Sequence, residues 1–213
     1  VLAGVGFYFY RQFFGSAVRD RSDLYISART DYSGLLDSLR SRMDHQWAFD
    51  RYADRLELER SYKPGHYVLE PGMNVVEIVR MLKLGMQTPV RVSLNYARTR
   101  AFLASRLARQ IDADSTELMR ALTDPKLAQE LGTDSLQLFS IFIPNTYEVY
   151  WTVSPEDFVR RMRKEYDRFW TPERDAARKR SGLSRNEVIT LASIVTEETN
   201  KADEMPRVAG VYM

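Results

Sequence analysis

Two Pro-Gly pairs, Pro64-Gly65 and Pro71-Gly72, stand only a few residues apart in the stretch YKPGHYVLEPGMNVVEIVRMLKLGMQTPVRVSLNY that starts at Tyr62. No helix can run through both, so the residues between them, His66 to Leu69, read as a short strand. Asn74 followed by Glu77 is a capping-box start, and Val75, Ile78, Val79 and Leu82 fall on one helical face before the break at Gly85. Val90, Val92 and Leu94 then alternate with Arg91, Ser93 and Asn95, the period of a half-buried strand. A strand, a capped helix and a second strand are thus written into about 30 residues, and an α+β chain is expected.

The rest of the chain is predominantly helical in pattern. Leu24-Tyr25-Ile26 reads as a short strand, and helices are expected from Asp31 and over HQWAFDRYADRLELER. From Ala97 onward, ARTRAFLASRLARQI places Phe102, Leu103, Leu107 and Ile111 on one face, with shorter helices near 115–122, 125–131 and 134–139. Ser154-Pro155 and Thr171-Pro172 open two more helices with proline in the first turn. The expected organisation is 1–20 as an anchor remnant and connector, 21–96 as an α+β region, and 97–213 as a mainly helical domain.

Composition removes several function classes. The 213 residues carry 31 basic and 29 acidic side chains, a net charge of +2 that gives nucleic acid no broad basic surface to bind. Without cysteine there are no disulfides, zinc thiolates or thiol nucleophiles, and the two histidines, His45 and His66, lie in no metal-ligand spacing. The opening run VLAGVGFYFYRQFFG is apolar and aromatic up to Arg11, yet shorter than the roughly 20 residues a spanning helix needs. It reads either as the end of a transmembrane helix, with Tyr8, Tyr10 and Arg11 near the interface, or as a buried amphipathic helix. That start and the apolar finish VAGVYM both suggest a chain cut at its two ends.

Two segments carry chemistry. The helix LSRNEVITLASIVTEET begins with Ser184 and Glu187 as a capping box, and Val188, Leu191, Ala192, Ile194 and Val195 form its apolar sector. At about 100° per residue, Glu198 falls roughly 40° from the middle of that sector and Glu197 roughly 140° from it. Glu197 is therefore expected in water. Glu198 is expected toward the packed side, where a carboxyl group can stay protonated and act as a general acid; the bland alternative is a glutamate at the margin of the apolar stripe that snorkels out to water or pairs with Lys201 or Arg207. The second segment, IFIPNTYEVYW, combines turn chemistry at Asn145-Thr146 with the rings of Tyr147, Tyr150 and Trp151. Aromatic faces beside amides and hydroxyls suit a sugar, and a core-filling aromatic cluster is the competing reading.

LASIVTEETNKADEMPRVAGVYM, FIPNTYEVYW and the preceding strand-helix module together resemble the MltG (YceG-like) family of endolytic murein transglycosylases, over nearly the whole chain. The resemblance implies a single-pass anchor in the bacterial inner membrane, a LysM-like module at about 62–96 that either binds glycan or is purely structural, and an extracytoplasmic catalytic domain. It implies cleavage of the β-1,4 bond after N-acetylmuramic acid by the sugar's own 6-hydroxyl, leaving a 1,6-anhydro end. One acid/base residue then suffices, and no cofactor is implied. Glu198 matches the glutamate before the threonine in the family pattern SIVEKET, while the first glutamate of that pattern is Thr196 here. Asn145, Thr146, Tyr147 and Glu148 are the implied substrate-binding residues. The implied partners are peptidoglycan glycan strands, and peptidoglycan synthases with divisome or elongasome proteins.

Overall fold

The structure is a computed structural model that describes residues 2–95 and 97–213. Val1 and Tyr96, the first residue of the N-terminal run and the last of the strand-helix-strand stretch, lie outside the described residues. In chain order the elements are α1 (Leu2–Phe14), β1 (Ser22–Ile26), α2 (Tyr32–Arg40), α3 (Gln46–Arg55), α4 (Leu58–Ser61), β2 (Gly65–Leu69), α5 (Val75–Leu84) and β3 (Val90–Leu94). There follow α6 (Arg100–Leu107), α7 (Ser115–Thr123), α8 (Pro125–Glu130), a 3₁₀ turn at Gln137–Ile141, β4 (Asn145–Val149), α9 (Pro155–Phe169), α10 (Pro172–Ser181), α11 (Arg185–Glu198) and α12 (Met205–Tyr212). The chain is α+β and mostly helical, with two small two-stranded sheets. No helix among the described residues is long and apolar enough to cross a membrane.

The backbone divides into two compact units, one made of Val1–Val92, Leu107–Ala113 and Thr146–Ser154, the other of Ser93–Arg106, Asp114–Asn145 and Pro155–Met213. In the first unit β1 and β2 pair antiparallel, with Leu24 opposite Tyr67 and Ile26 opposite Gly65. Every residue of β2 is buried, so both faces of this strand are covered and its apolar content is fully used. Leu24, Ile26, Leu35, Leu39, Ile78 and Leu82 surround it with almost no exposed surface. Each such side chain contributes roughly 1.5–3 kcal/mol of transfer free energy before the entropic cost of ordering. Tyr67 is buried among them and donates its hydroxyl to the Lys63 carbonyl at 2.7 Å, and burial pushes its phenol up to about 12.

Local signals explain most element ends. The Asn74–Glu77 capping box is formed on both sides, and Gly85, at φ 68°, ends α5 in the left-handed conformation that glycine adopts without strain. The continuous helix expected over residues 45–60 is broken instead: α3 stops at Arg55, and Glu57 takes φ 50° before α4 begins. Leu58, fully buried, is the residue this kink turns inward. The strand-helix-strand stretch does not close as a module by itself. β2 pairs with β1 across three intervening helices, and β3 pairs with β4. Strand pairing is a long-range property, and nothing in the spacing of residues 62–96 specifies it.

The second unit is helix on helix. α9 buries Phe158, Val159, Met162 and Tyr166, an apolar stripe at helical spacing that packs against α7 through Leu118, Ala121 and Leu122. The 3₁₀ turn, where a helix over 134–139 was expected, buries Leu138 and Ile141 and touches both α9 and α11. In α6, Leu103 and Leu107 are buried as the spacing requires, but Phe102 is 48% exposed and lies under the Arg106 guanidinium at 5.6 Å. Phe102 is one residue from Leu103, about 100° round the helix, which takes it off the packed stripe.

A buried polar group fastens the first sheet. His66 is 5% exposed; its Nδ1 donates to the Thr88 carbonyl at 2.9 Å, its Nε2 lies 2.7 Å from Asp23 Oδ1, and Tyr25 stacks on its ring with 4.4 Å between centroids. Both ring nitrogens face oxygen acceptors. Replacing His66 by Leu strands the Thr88 carbonyl and removes the ring stack; the expected loss is about 1–3 kcal/mol, read as a lower urea midpoint with an unchanged slope.

Candidate functional site

α11 is the element from which the site is built. Gly182, at φ 75°, ends α10, and Ser184 then caps α11, accepting from the Glu187 N–H while Glu187 Oε2 accepts from the Ser184 N–H at 2.7 Å. The turn between the helices is fixed by Asp175, which pairs with Arg178 at 3.1 Å and with Arg185 at 3.0 Å, and the Arg185 guanidinium lies 5.3 Å from the centre of the Trp170 ring. At the other end, Thr199 is extended and its N–H closes on the Val195 carbonyl. Thr199 donates its hydroxyl to Glu204 Oε2 at 2.9 Å and accepts from the Lys201 N–H at 3.1 Å, while Lys201 Nζ reaches Glu204 Oε1 at 3.0 Å. The Lys201 and Thr199 donors hold the Glu204 carboxyl below its usual range. This knot folds the chain back so that α12 packs on α11.

The two adjacent glutamates have distinct partners. Glu197 is exposed, as helical angle predicts, and is gripped by the Arg98 guanidinium, whose Nε donates to Oε1 at 3.2 Å and whose Nη2 donates to Oε2. Glu198 is exposed as well, which corrects the expectation that it faces the packed side. Val195 is the only residue of α11 that is buried among the described residues, and Glu198 is the last residue of the helix, standing beyond that point. The apolar surroundings expected for its carboxyl are therefore not there. Its partner is the hydroxyl of Tyr212 on α12, which donates to Oε1 at 3.2 Å. The negative charge of Glu198, followed by the hydrogen bond, raises the Tyr212 phenol above its ordinary range. Lys201, the partner foreseen as an alternative, goes to Glu204.

Another face of α11 borders a cavity of about 400 Å³ within the second unit. Its walls are apolar, with Leu103, Leu136, Phe139, Phe142 and Ile143 among them, and α11 contributes a polar strip of Asn186, Thr190, Ser193 and Thr196. Ser193 donates to the Ile189 carbonyl at 2.9 Å and Thr196 to the Ala192 carbonyl at 2.8 Å, which leaves hydroxyl lone pairs for the cavity. Ser140 donates to Asn186 Oδ1 at 3.0 Å. No titratable side chain is among the described lining residues, and neither Glu197 nor Glu198 is one of them. Thr196 lies about 160° round the helix from Glu198, so the cavity and that carboxylate occupy opposite sides of α11.

The residues expected to bind substrate lie on β4. Asn145, which opens the strand, belongs to the second unit, and Thr146, Tyr147 and Glu148 belong to the first. Asn145, Thr146 and Glu148 are exposed, whereas Tyr147 is buried at 7%. Asn145-Thr146 was expected as a turn and forms the start of a strand. The three rings are also separated: Tyr147 on β4 is buried, Tyr150 just past the strand is 55% exposed, and Trp151 packs edge-on against Tyr25 at 5.1 Å. They do not form one open aromatic face. Among the described residues no group of three His, Asp or Glu side chains could hold a metal ion. Tyr212, Arg98 and the cavity strip were missed in the sequence. The strip was readable from the spacing of Asn186, Thr190, Ser193 and Thr196, while the two cross-helix partners carry no local signal.

A family model described as the YceG-like family matches residues 24–213. The chain belongs to the YceG-like family. In fold it is similar to a yceG-like protein from Listeria monocytogenes solved by crystallography at 2.6 Å, with a TM-score of 0.51 and 19% identity over 87% of this chain and 67% of that one. No curated protein matches the chain.

Acid titration tests the α10–α11 joint. Hydrogen bonds from Arg185, then Arg178, hold the Asp175 carboxyl at about 2, below its ordinary 3.8. A depressed folded-state value means the stabilisation is complete above about pH 4 and is lost as pH falls toward 2. In an Asp175→Asn chain that component of acid destabilisation is absent, so its melting temperature, lower than wild type at pH 6, converges with it near pH 2.

Proposed function

We propose that this YceG-like chain is part of a membrane-anchored, endolytic lytic transglycosylase that cuts the β-1,4 bond between N-acetylmuramic acid and N-acetylglucosamine in nascent peptidoglycan. The observation that carries the reading is the solvent-reachable carboxylate that ends α11, Glu198, which accepts from the Tyr212 hydroxyl at 3.2 Å while the neighbouring Glu197 is taken up by Arg98. Hydrolysis by the usual route requires two carboxyl groups at a set separation, whereas intramolecular attack requires one.

In the proposed step the protonated Glu198 carboxyl gives its proton to the glycosidic oxygen as the bond from C1 to that oxygen breaks. The 6-hydroxyl of the same muramic acid residue attacks C1, and its proton returns to the Glu198 carboxylate. The products are a free 4-hydroxyl and a 1,6-anhydro end, with no water consumed. Tyr212 would orient the carboxylate between these two transfers. Asn145, Thr146, Tyr147 and Glu148 remain the proposed substrate contacts, although the burial of Tyr147 restricts it to shaping β4 beneath them. The apolar start of the chain supports a single-pass position in the bacterial inner membrane with the catalytic domain outside the cytoplasm, where peptidoglycan synthases and division or elongation proteins would be its neighbours.

A second reading rests on the cavity. Its wall carries Thr196 where the family pattern has its first glutamate, and its described lining holds no acid that could protonate a leaving group. A protein that grips glycan without cutting it fits that arrangement.

One digestion separates the two. Full-length wild type acting on purified peptidoglycan is expected to release anhydro-ended muropeptides by mass analysis, and Glu198→Gln is expected to lower the rate about 100-fold or more. Activity equal to wild type in Glu198→Gln would sink the assignment of that residue. Binding to sacculi without any soluble product from wild type would favour the gripping role.

A further inference from the structure

Exposed aromatic rings of the first unit gather on α1 and the start of α3. Phe7, Tyr8, Phe9, Tyr10 and Phe14 of α1 are each at least 44% exposed, and Trp47 of α3 is 49% exposed beside them. Trp47 lies 5.7 Å from the Phe9 ring and 6.2 Å from the Phe13 ring. Phe9 and Phe13 are one turn apart, about 6 Å along the helix axis, so Trp47 sits at a level between them.

α1 is rigidly mounted on the body that carries Trp47. Immediately after the helix, Ala17 and Val18 are buried, and both donate their N–H to the Met73 carbonyl, at 2.8 and 3.2 Å. Gly72 donates back to the Val18 carbonyl at 3.0 Å, and Asp44 donates to the Ala17 carbonyl at 2.7 Å. Gly15 has no room for a side chain, since a Cβ there would come within 2.3 Å of the Arg11 carbonyl oxygen. Four backbone bonds from two directions leave no swivel, so α3 follows wherever α1 is placed.

The chemistry of the patch selects its occupant. Tyr8, Tyr10 and Trp47 each join an apolar ring to one polar tip, and Arg11 and Gln12 follow at the same end of α1. That combination is favoured at the boundary between lipid headgroups and acyl chains, where ring and tip are solvated differently. A protein groove would cover one stripe of α1, yet the exposed residues occupy successive positions and so surround most of the helix.

We infer that Trp47 and the aromatic residues of α1 form one lipid-interface patch, which seats the N-terminal end of α3 at the bilayer surface at a fixed angle. The inference rests on the proposed membrane position of α1 and adds that the folded body, not the helix alone, touches lipid.

Brominated phosphatidylcholine vesicles provide the test, with bromines either near the headgroup or near the acyl terminus, and the full chain reconstituted with them. Wild-type tryptophan emission is expected to be quenched more strongly by shallow than by deep bromines, and Trp47→Phe, which keeps the ring contacts, is expected to lose that quenching. A second chain, Trp47→Phe with Tyr10→Trp, reports on α1 alone. Quenching of that reporter with no difference between wild type and Trp47→Phe overturns the inference while leaving the anchor in place. Absence of quenching in every chain overturns the membrane position of α1, and the inference with it.

Discussion

The antiparallel ladder between β1 and β2 is the constraint from which the first unit follows. It joins residues 22–26 to 65–69, so the intervening helices must return the chain to its starting edge before any of the core can close. Because both faces of β2 are covered, each N–H or carbonyl orphaned there would cost as much as several apolar contacts supply. Tyr25, stacked on His66 and meeting Trp151 edge-on, and Asp112, accepting from the Ser27 hydroxyl and the Ala28 N–H, tie two later stretches of chain to the same ladder. The first unit therefore depends on residues far along the sequence. The pairing of β1 with β2 is non-local.

In the second unit the comparable device is local. Capping boxes at Asp114–Glu117 and Ser184–Glu187, and proline in the first turn of α8, α9, α10 and α12, set helix starts from neighbouring residues alone. The knot of Thr199, Lys201 and Glu204 then reverses the chain within six residues and brings Tyr212 to Glu198. These exposed ion pairs contribute little each to stability. Their effect is geometric, since they determine which hydroxyl meets which carboxylate.

This difference explains what could be read from the sequence. Punctuation by proline, glycine and caps gave α5, α9 and α11 nearly to the residue and the start of α10, because the responsible atoms lie within four positions of one another. It failed at Glu57, whose left-handed backbone has no glycine or asparagine to announce it, and at β4, where Asn145-Thr146 has the composition of a turn but pairs with β3. The solvent position of Glu197 followed from helical angle, yet the same angle misplaced Glu198. A helical wheel assumes that packing continues along the whole helix, and here it ends at Val195, three residues earlier.

Glu198 and Thr196 consequently pose different chemical problems on the two sides of α11. A carboxylate among apolar walls would suffer desolvation and gain acidity control from it, but the cavity beside Thr196 offers only hydroxyl and amide groups. Such a lining can hold a neutral, hydroxyl-rich ring and cannot transfer a proton to it. Glu198 can exchange a proton, and the Tyr212 hydroxyl fixes where its carboxyl group points. Substrate bound over Glu198 would have to supply the missing desolvation itself, through the apolar face of the sugar it covers the carboxyl with.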